Sequence, residues 1–216
     1  MTHASLTIIL HEHRALSAML RSILLLLGQH RRRGTLPDFG ALRAMLFYVD
    51  EFPEKLHHPK ESRLLFPKLR GHGAHSDAVL DRLDRDHARG EHAIRGLEHA
   101  LLGFEMMGET DQGEPRRATF ETAMHLYVRF YIEHMHIEET EVLPLAEAVL
   151  GAGDWTALDQ AFLTNCDPLA GHDAVAAYQP LFKKILSALP ASSGVGSVLE
   201  ALAGAGAPKY AWPPLG

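Results

Sequence analysis

The chain has 216 residues, 46% hydrophobic, 22% charged and only 7% aromatic, with a net charge of −6 and a single cysteine. That length suffices for one large domain with a substantial apolar core. The acid excess removes the electrostatic case for nucleic acid, no apolar run reaches the length of a membrane span, and Cys166 alone forbids an intrachain disulfide.

Strand signals are nearly absent, and the long segments repeat apolar residues every three or four positions. A first helix is predicted from about Ser5 to about Gly28, with Leu6, Ile9, Leu16, Leu20, Ile23 and Leu27 on one stripe. The run Arg31-Arg32-Arg33 reads as solvating the negative end of that helix. Gly34, Pro37 and Asp38 mark a connection. A second helix, from about Phe39 to about Leu69, carries Leu42, Leu46, Val49, Leu64 and Leu65 inward, and its Pro53 and Pro59 predict a kink or break. A third, from about Asp77 to about Met107, runs along Leu80, Leu83, Ile94, Leu97 and Leu101. After a loop from Gly108 to Pro115, a fourth extends from about Arg116 to about Leu150 along Phe120, Met124, Tyr127, Tyr131 and Leu145. Short links between four long helices predict an all-α, up-down-up-down four-helix bundle over residues 1–150. Residues 151–191 form a C-terminal helical extension. In it Asp154 is predicted to cap a helix through Trp155, Leu158 and Phe162, and a further helix is predicted over 171–189. Residues 192–216, rich in Gly, Ala and Pro, are expected to be extended or disordered. The first ten residues lack a charged leader region, so no signal peptide and a cytoplasmic location are expected.

The unusual number is 15 histidines. Surface residue, pH switch and metal ligand are all open to histidine, so position must choose. Each apolar stripe is interrupted by polar residues: His13 in the first helix, His57 and Glu61 in the second, His87 and Glu91 in the third, His134 and Glu138 in the fourth. Three of the four share the spacing His-x-x-x-Glu, which puts both side chains one turn apart on one face. Burying an unpaired polar group costs roughly 2–7 kcal/mol, and a charge costs more. Seven such groups in a core need compensation, and a pair of cations supplies it. At a rise of about 1.5 Å per residue the four clusters come level in antiparallel neighbours. Imidazole and carboxylate without thiolate suit iron, manganese or zinc, in that order, and structural zinc would recruit more cysteine. Seven ligands exceed the need of one ion, so two ions bridged by Glu61 and Glu138 are the natural arrangement.

His13, His57-x-x-x-Glu61, His87 and His134-x-x-x-Glu138 resemble the hemerythrin-like, or HHE cation-binding, domain family. Glu12-His13-Arg14, His57-His58-Pro59-Lys60-Glu61, Leu65-Phe66-Pro67 and His134-Met135-His136-Ile137-Glu138-Glu139 carry the same likeness across about residues 5 to 150. The stretch from Asp154-Trp155 to Asp167-Pro168-Leu169 resembles the extension of bacterial members. The resemblance implies two non-haem iron ions, oxo- or hydroxo-bridged and carboxylate-bridged, in a four-helix bundle, reactive toward dioxygen or related small molecules. Oxygen carriers of the family have a second histidine on the third helix where Glu91 stands here. Their fourth-helix carboxylate is an Asp five residues after the histidine, where this chain has Glu138 four after. A more carboxylate-rich site holds ferric iron more firmly, which argues against reversible oxygen carriage.

The structural rival is a ferritin-like site built on Glu-x-x-His pairs, here Glu54-x-x-His57 and Glu133-x-x-His136 with Glu12 and Glu91. Glu133 and His136 share a face with Arg129 and Thr140, which reads as solvent. His58, His92 and His136 are read as pointing away from the stripes, and Tyr127 and Tyr131 as core aromatics one turn from the site. No catalytic residue is assigned, because no nucleophile–base pair or phosphate-binding loop is found. Three functional classes remain. One is a protein that binds oxygen, nitric oxide or peroxide, or senses iron or redox state. The others are a di-iron oxidoreductase consuming peroxide or nitric oxide, and a helical interaction module with a structural metal.

Overall fold

A computed structural model describes residues 3–170 and 178–188. Among them every regular element is helical, and the chain forms a helical bundle. Helix α1 (Ala4–Arg33) continues past Gly28 and ends at Gly34, which adopts φ 63 and donates its N–H to the Arg31 carbonyl. A left-handed cap is the conformation glycine adopts without penalty, so Gly34 rather than Gly28 stops the helix. The arginines thus occupy its last turn, and Arg31 binds Glu121 at 2.7 Å, docking α1 on the fourth helix rather than only solvating it.

Asp38 caps the second helix by accepting the Ala41 N–H at 3.0 Å. This helix, α2 (residues 39–69), departs from α geometry around its prolines. It alternates α-helix (Phe39–Val49), π-helix (Asp50–His57), α (His58–Lys60), π (Glu61–Leu65) and α (Phe66–Leu69). Proline lacks the N–H that would bond the carbonyl four residues back, and its ring presses on that carbonyl. Pro59 and Pro67 each follow the end of a π stretch by two residues, so the freed carbonyl lies inside the widened turn. Pro144 repeats the pattern in α4 (residues 113–149), where π-helix Glu138–Val142 separates Gly113–Ile137 from Leu143–Val149.

Between them, α3 (Ala74–Met107) buries Leu80, Leu83, His87, Gly90, Ile94, Leu97, Leu101 and Phe104. Those steps alternate three and four, the heptad stripe of coiled-coil packing. Helix α5 (Ala152–Phe162) buries Trp155, Leu158 and Phe162; Gly151 is its N-cap, and Asp154 sits one turn in, accepting the Gly151 N–H. Asp159 accepts both the N–H and the hydroxyl of Ser5, tying α5 to the start of α1. A short 3-10 turn (Pro168–Ala170) follows, and α6 (Gln179–Ala188) lays Phe182 against Tyr48 and Phe52 of α2. The start of the helix predicted over 171–189 and the tail over 192–216 lie outside the described residues.

Two separate apolar cores result among the described residues. One gathers Leu20, Leu42, Met45, Leu97, Phe104 and Phe120; the other gathers Leu6, Phe66, Leu80, Leu143, Trp155 and Phe162. A polar layer lies between them.

Candidate metal centre

The layer is made of imidazoles and carboxylates from all four long helices. His13, His57, His58, His87, His134, Glu61 and Glu138 are each less than one-tenth exposed. The π turns matter here: His57 closes one, Glu61 opens the next, and Glu138 opens the third. Widened turns recur at functional sites because they re-aim side chains without ending the helix. In α2 they turn two interleaved i, i+4 pairs inward, Glu54 with His58 and His57 with Glu61.

The donor atoms fall into two groups sharing two carboxylates. His13 Nε2 stands 3.2 Å from His57 Nε2 and 3.3 Å from Glu138 Oε2, and His57 Nε2 stands 3.2 Å from Glu61 Oε1. On the other side His87 Nε2 stands 3.0 Å from His134 Nε2, 3.6 Å from Glu61 Oε2 and 3.5 Å from Glu138 Oε1. His134 Nε2 is 3.2 Å from that same Glu138 oxygen. Each glutamate thus turns one oxygen to each group. Ligand-capable atoms of His58, His87 and His134 also lie within 4.8 Å of one another, so the second group has three imidazoles and the first has two. Donors about 2.1 Å from one ion sit about 3.0–3.4 Å apart at right or tetrahedral angles, and all of these contacts but the two from His87 to the glutamates fall in that range.

The opposite ring nitrogens fix the tautomers. His57 Nδ1 lies 2.6 Å from Glu12, His13 Nδ1 3.0 Å from Glu139, and His58 Nδ1 3.1 Å from Glu54. Ionised carboxylates accept only, so these nitrogens donate, and Nε2 is the bare nitrogen of the neutral, metal-binding form. Ser62 gives its one hydroxyl proton to Asp84 at 2.7 Å, so at 2.8 Å it must accept from His87 Nδ1. His134 Nδ1 faces Asp86 at 3.8 Å, an electrostatic contact rather than a hydrogen bond. Orienting imidazoles by acids behind them is how proteins prepare histidine for metal.

A cation fits this donor set on an observation independent of motif. All four oxygens of Glu61 and Glu138 are buried and accept no hydrogen bond, although imidazole nitrogens stand 3.2–3.6 Å away. Bare carboxylate oxygens facing bare imidazole lone pairs are intolerable in a core without positive charge between them. The titration behaviour shows the same demand for positive charge, which protons on the imidazoles meet when no metal is bound. Burial pulls the His13 and His134 imidazolium ions down, yet their carboxylate neighbours outweigh it and raise them to about 9 and about 10. His57 is likewise raised, burial being overcome by Glu61 and Glu12. Burial pushes Glu138 up, but His134, His13 and His87 hold it well below the usual carboxylate range. His58 is driven the other way by burial and by its imidazole neighbours, so it stays neutral, the form a metal takes.

Beside His58, Glu54 Oε1 accepts from Tyr127 at 2.7 Å and from Tyr131 by a short bond. Burial pushes the Glu54 carboxyl up to about 7 against those phenols. Tyr131 stacks on His58 and leans so close to α3 that a Cβ on Gly90 would lie 1.8 Å from its hydroxyl.

Six of the seven residues singled out by the sequence meet here: His13, His57, Glu61, His87, His134 and Glu138. Glu91 does not, and is corrected. Its side chain is 55% exposed and pairs with Arg95 at 2.6 Å, because the heptad stripe of α3 steps from His87 to Gly90 and bypasses position 91. Leu64 is corrected too: it is 39% exposed, the π turn having rotated Leu65 alone inward. A uniform α-helical period turns His58 away from the stripe, and the π turns bring it in. The ferritin-like set does not assemble, since Glu133 is exposed on Arg82 and Glu54 faces the tyrosines. Reasoning by stripes also missed Glu12 and Glu54. The signals were present in Glu54-x-x-x-His58 and in an acid directly preceding His13.

No helix among the described residues is long and apolar enough to cross a membrane. No curated protein matches the chain. A family model, the hemerythrin HHE cation binding domain, matches residues 4–146. That span holds three of the long helices whole, the fourth up to residue 146 and every donor of the layer, and the chain belongs to the hemerythrin HHE cation-binding domain family.

Proposed function

We propose that this cytoplasmic protein holds two non-haem iron ions. At them it binds a small molecule (dioxygen, nitric oxide or peroxide) or registers iron or redox state. One observation carries the reading: Glu61 and Glu138 each offer one bare, buried oxygen to each of two imidazole groups. Carboxylates so placed bridge a pair of ions, and a thiolate-free set of imidazoles and acids suits iron. His13, His57, Glu61 and Glu138 would hold one ion; His58, His87, His134 and the same two glutamates the other. When bound, the pair supplies redox chemistry and a Lewis-acidic position for a small ligand. The chain itself orients the imidazoles through Glu12, Glu139, Glu54 and Ser62, and the two apolar cores exclude bulk water from the layer.

A second reading, a di-iron oxidoreductase consuming peroxide or nitric oxide, draws support from Glu54. With its carboxyl pushed up to about 7 and two phenols on Oε1, it can hold or release a proton beside the three-imidazole group. A purely structural metal is disfavoured by a cavity beside His13 and His57. Anaerobically prepared, iron-loaded protein separates the readings. A persistent optical adduct with nitric oxide or peroxide, without turnover, supports binding. Steady disappearance of peroxide supports the enzyme, and neither outcome returns the metal to a structural role.

A further inference from the structure

The extension after α4 does more than cover one end of the bundle. Asp167, 155 residues along the chain from Glu12, donates its N–H to Glu12 Oε1 at 2.9 Å. Glu12 Oε2 takes the Nδ1 proton of His57 at 2.6 Å. Both oxygens of that carboxylate are therefore held, one by the extension and one by the imidazole. Burial pushes the Glu12 carboxyl up, but His57 and the Asp167 N–H bring it below the usual carboxylate range, so it faces the ring ionised. An acid held at both oxygens cannot swing, and it aims the imidazole in one direction.

Asp167 is itself fixed. It is buried, and its carboxylate accepts the Tyr48 hydroxyl of α2 by a short bond and the Leu169 N–H at 2.8 Å. Asn165, two residues earlier, has φ 54, a left-handed conformation that asparagine enters more readily than most side chains. Lys60 donates to the Thr164 carbonyl at 2.7 Å and lies over the Phe162 ring, and that ring stands edge-on to His57 with centroids 6.2 Å apart. The extension thus backs His57 twice, through Glu12 and through Phe162. The other imidazoles are backed from within the bundle: His13 by Glu139 of α4, His58 by Glu54 and His87 by Ser62 of α2, and His134 by Asp86 of α3.

From this arrangement we infer that Asp167 is a positioning residue for one half of the metal centre: acting through Glu12, it holds the His57 imidazole toward its ion, so the extension governs that ion and not its neighbour. The inference rests on the metal-binding reading above and on no particular small ligand. Cutting the Asp167 carboxylate from Tyr48 and Leu169 frees the backbone that delivers the N–H. Glu12 is then held by His57 alone, and the ring gains freedom.

Three variants test this in the full-length chain. Asp167→Ala removes both carboxylate contacts, Asp167→Asn keeps an oxygen for the Leu169 N–H, and Tyr48→Phe cuts the same strap from α2. Each protein is loaded with iron-57, its Mössbauer spectrum is recorded, and iron release to a chelator is followed beside helical circular dichroism. Asp167→Ala should shift the quadrupole splitting of one of two iron sites and release about half of the iron about tenfold faster. The second site, the slower half and the helical signal should match the unaltered protein. Asp167→Asn should restore most of the loss, and Tyr48→Phe should move the same site in the same direction. Spectra unchanged in both Asp167→Ala and Tyr48→Phe overturn the inference. So does a change spread equally over both sites, the result that loosened packing alone would give. If Asp167→Ala fails to fold, Tyr48→Phe decides alone. An unaltered chain that takes up no iron removes the metal-binding reading as well, whereas iron-loaded variants with unchanged spectra remove only this inference.

Discussion

The two ends of the layer, the one with three imidazoles (the closed end) and the one with two (the open end), are built from the same residue types but by different means. At the closed end three imidazoles converge, His58 stacks between His87 and Tyr131, and Glu54 ties His58 to two buried phenols. At the open end two imidazoles rely on outside support: Glu12 behind His57, Glu139 behind His13, and a strap from the extension behind Glu12. The difference teaches that a shared pair of bridging carboxylates need not make a symmetric centre. On the two-ion reading, redundancy of ligands would fix one ion, and hydrogen bonds from the acids behind the imidazoles the other.

The comparison breaks most readily at the ligands. His57→Ala leaves one imidazole at the open end, and the metal content should fall from about two ions per chain to about one; His58→Ala leaves two imidazoles at the closed end and should retain about two. Equal losses measured by elemental analysis would show the ends to be alike. Next in size is Glu12→Ala, which strips the partner from His57 Nδ1 and from the Asp167 N–H. Affinity at one ion should drop about 10–100-fold, while the other ion is unaffected. Chelator competition should therefore resolve two steps where the unaltered protein gives one, and a single step shared by both ions contradicts the division.

A smaller effect is set by pH. The His13 and His134 values are raised from 6.5 to about 9 and about 10, so their protons stabilise the metal-free fold fully below about 6.5. That stabilisation is lost as pH rises through about 9 to 10. Glu138 is depressed instead; its contribution is present above 4.5 and disappears only in acid, outside this window. Metal-bound imidazoles carry no such protons. The Tm gap between loaded and metal-free protein should widen from about pH 6.5 to about pH 9, and a gap that narrows contradicts the assignment of these imidazoles as ligands. The smallest expected effect is that of Glu91→Ala. An exposed i, i+4 pair with Arg95 is worth about 0.5 kcal/mol or less, and metal content should not change. Loss of a metal ion on this substitution would restore Glu91 to the centre.

What could be read from residues alone was set by periodicity. The stripes of α1 and α3 are regular, and His13 and His87 stand out in them because a polar group in an apolar row needs a reason. The same logic erred by one step at Glu91, since a spacing of four fits both a ligand pair and a solvent-facing pair, and only the alternation through Gly90 separates them. In α2 the uniform 3.6-residue period itself failed. Pro59 and Pro67 signal a departure from α-helix, but not whether the chain kinks or widens, and widening is what buries His58 and Glu54. The place of Asp167 was beyond the reach of such patterns, because a contact between residues 155 apart leaves no local period.

The central claim is that Glu61 and Glu138 join two metal positions. The most direct measurement is iron-edge anomalous diffraction from crystals of iron-loaded protein, with elemental analysis of the same sample. The claim predicts two anomalous peaks within one carboxylate span, one beside His13 and His57 and one beside His58, His87 and His134. A single peak, a peak away from both glutamates, or one zinc per chain in its place would contradict it.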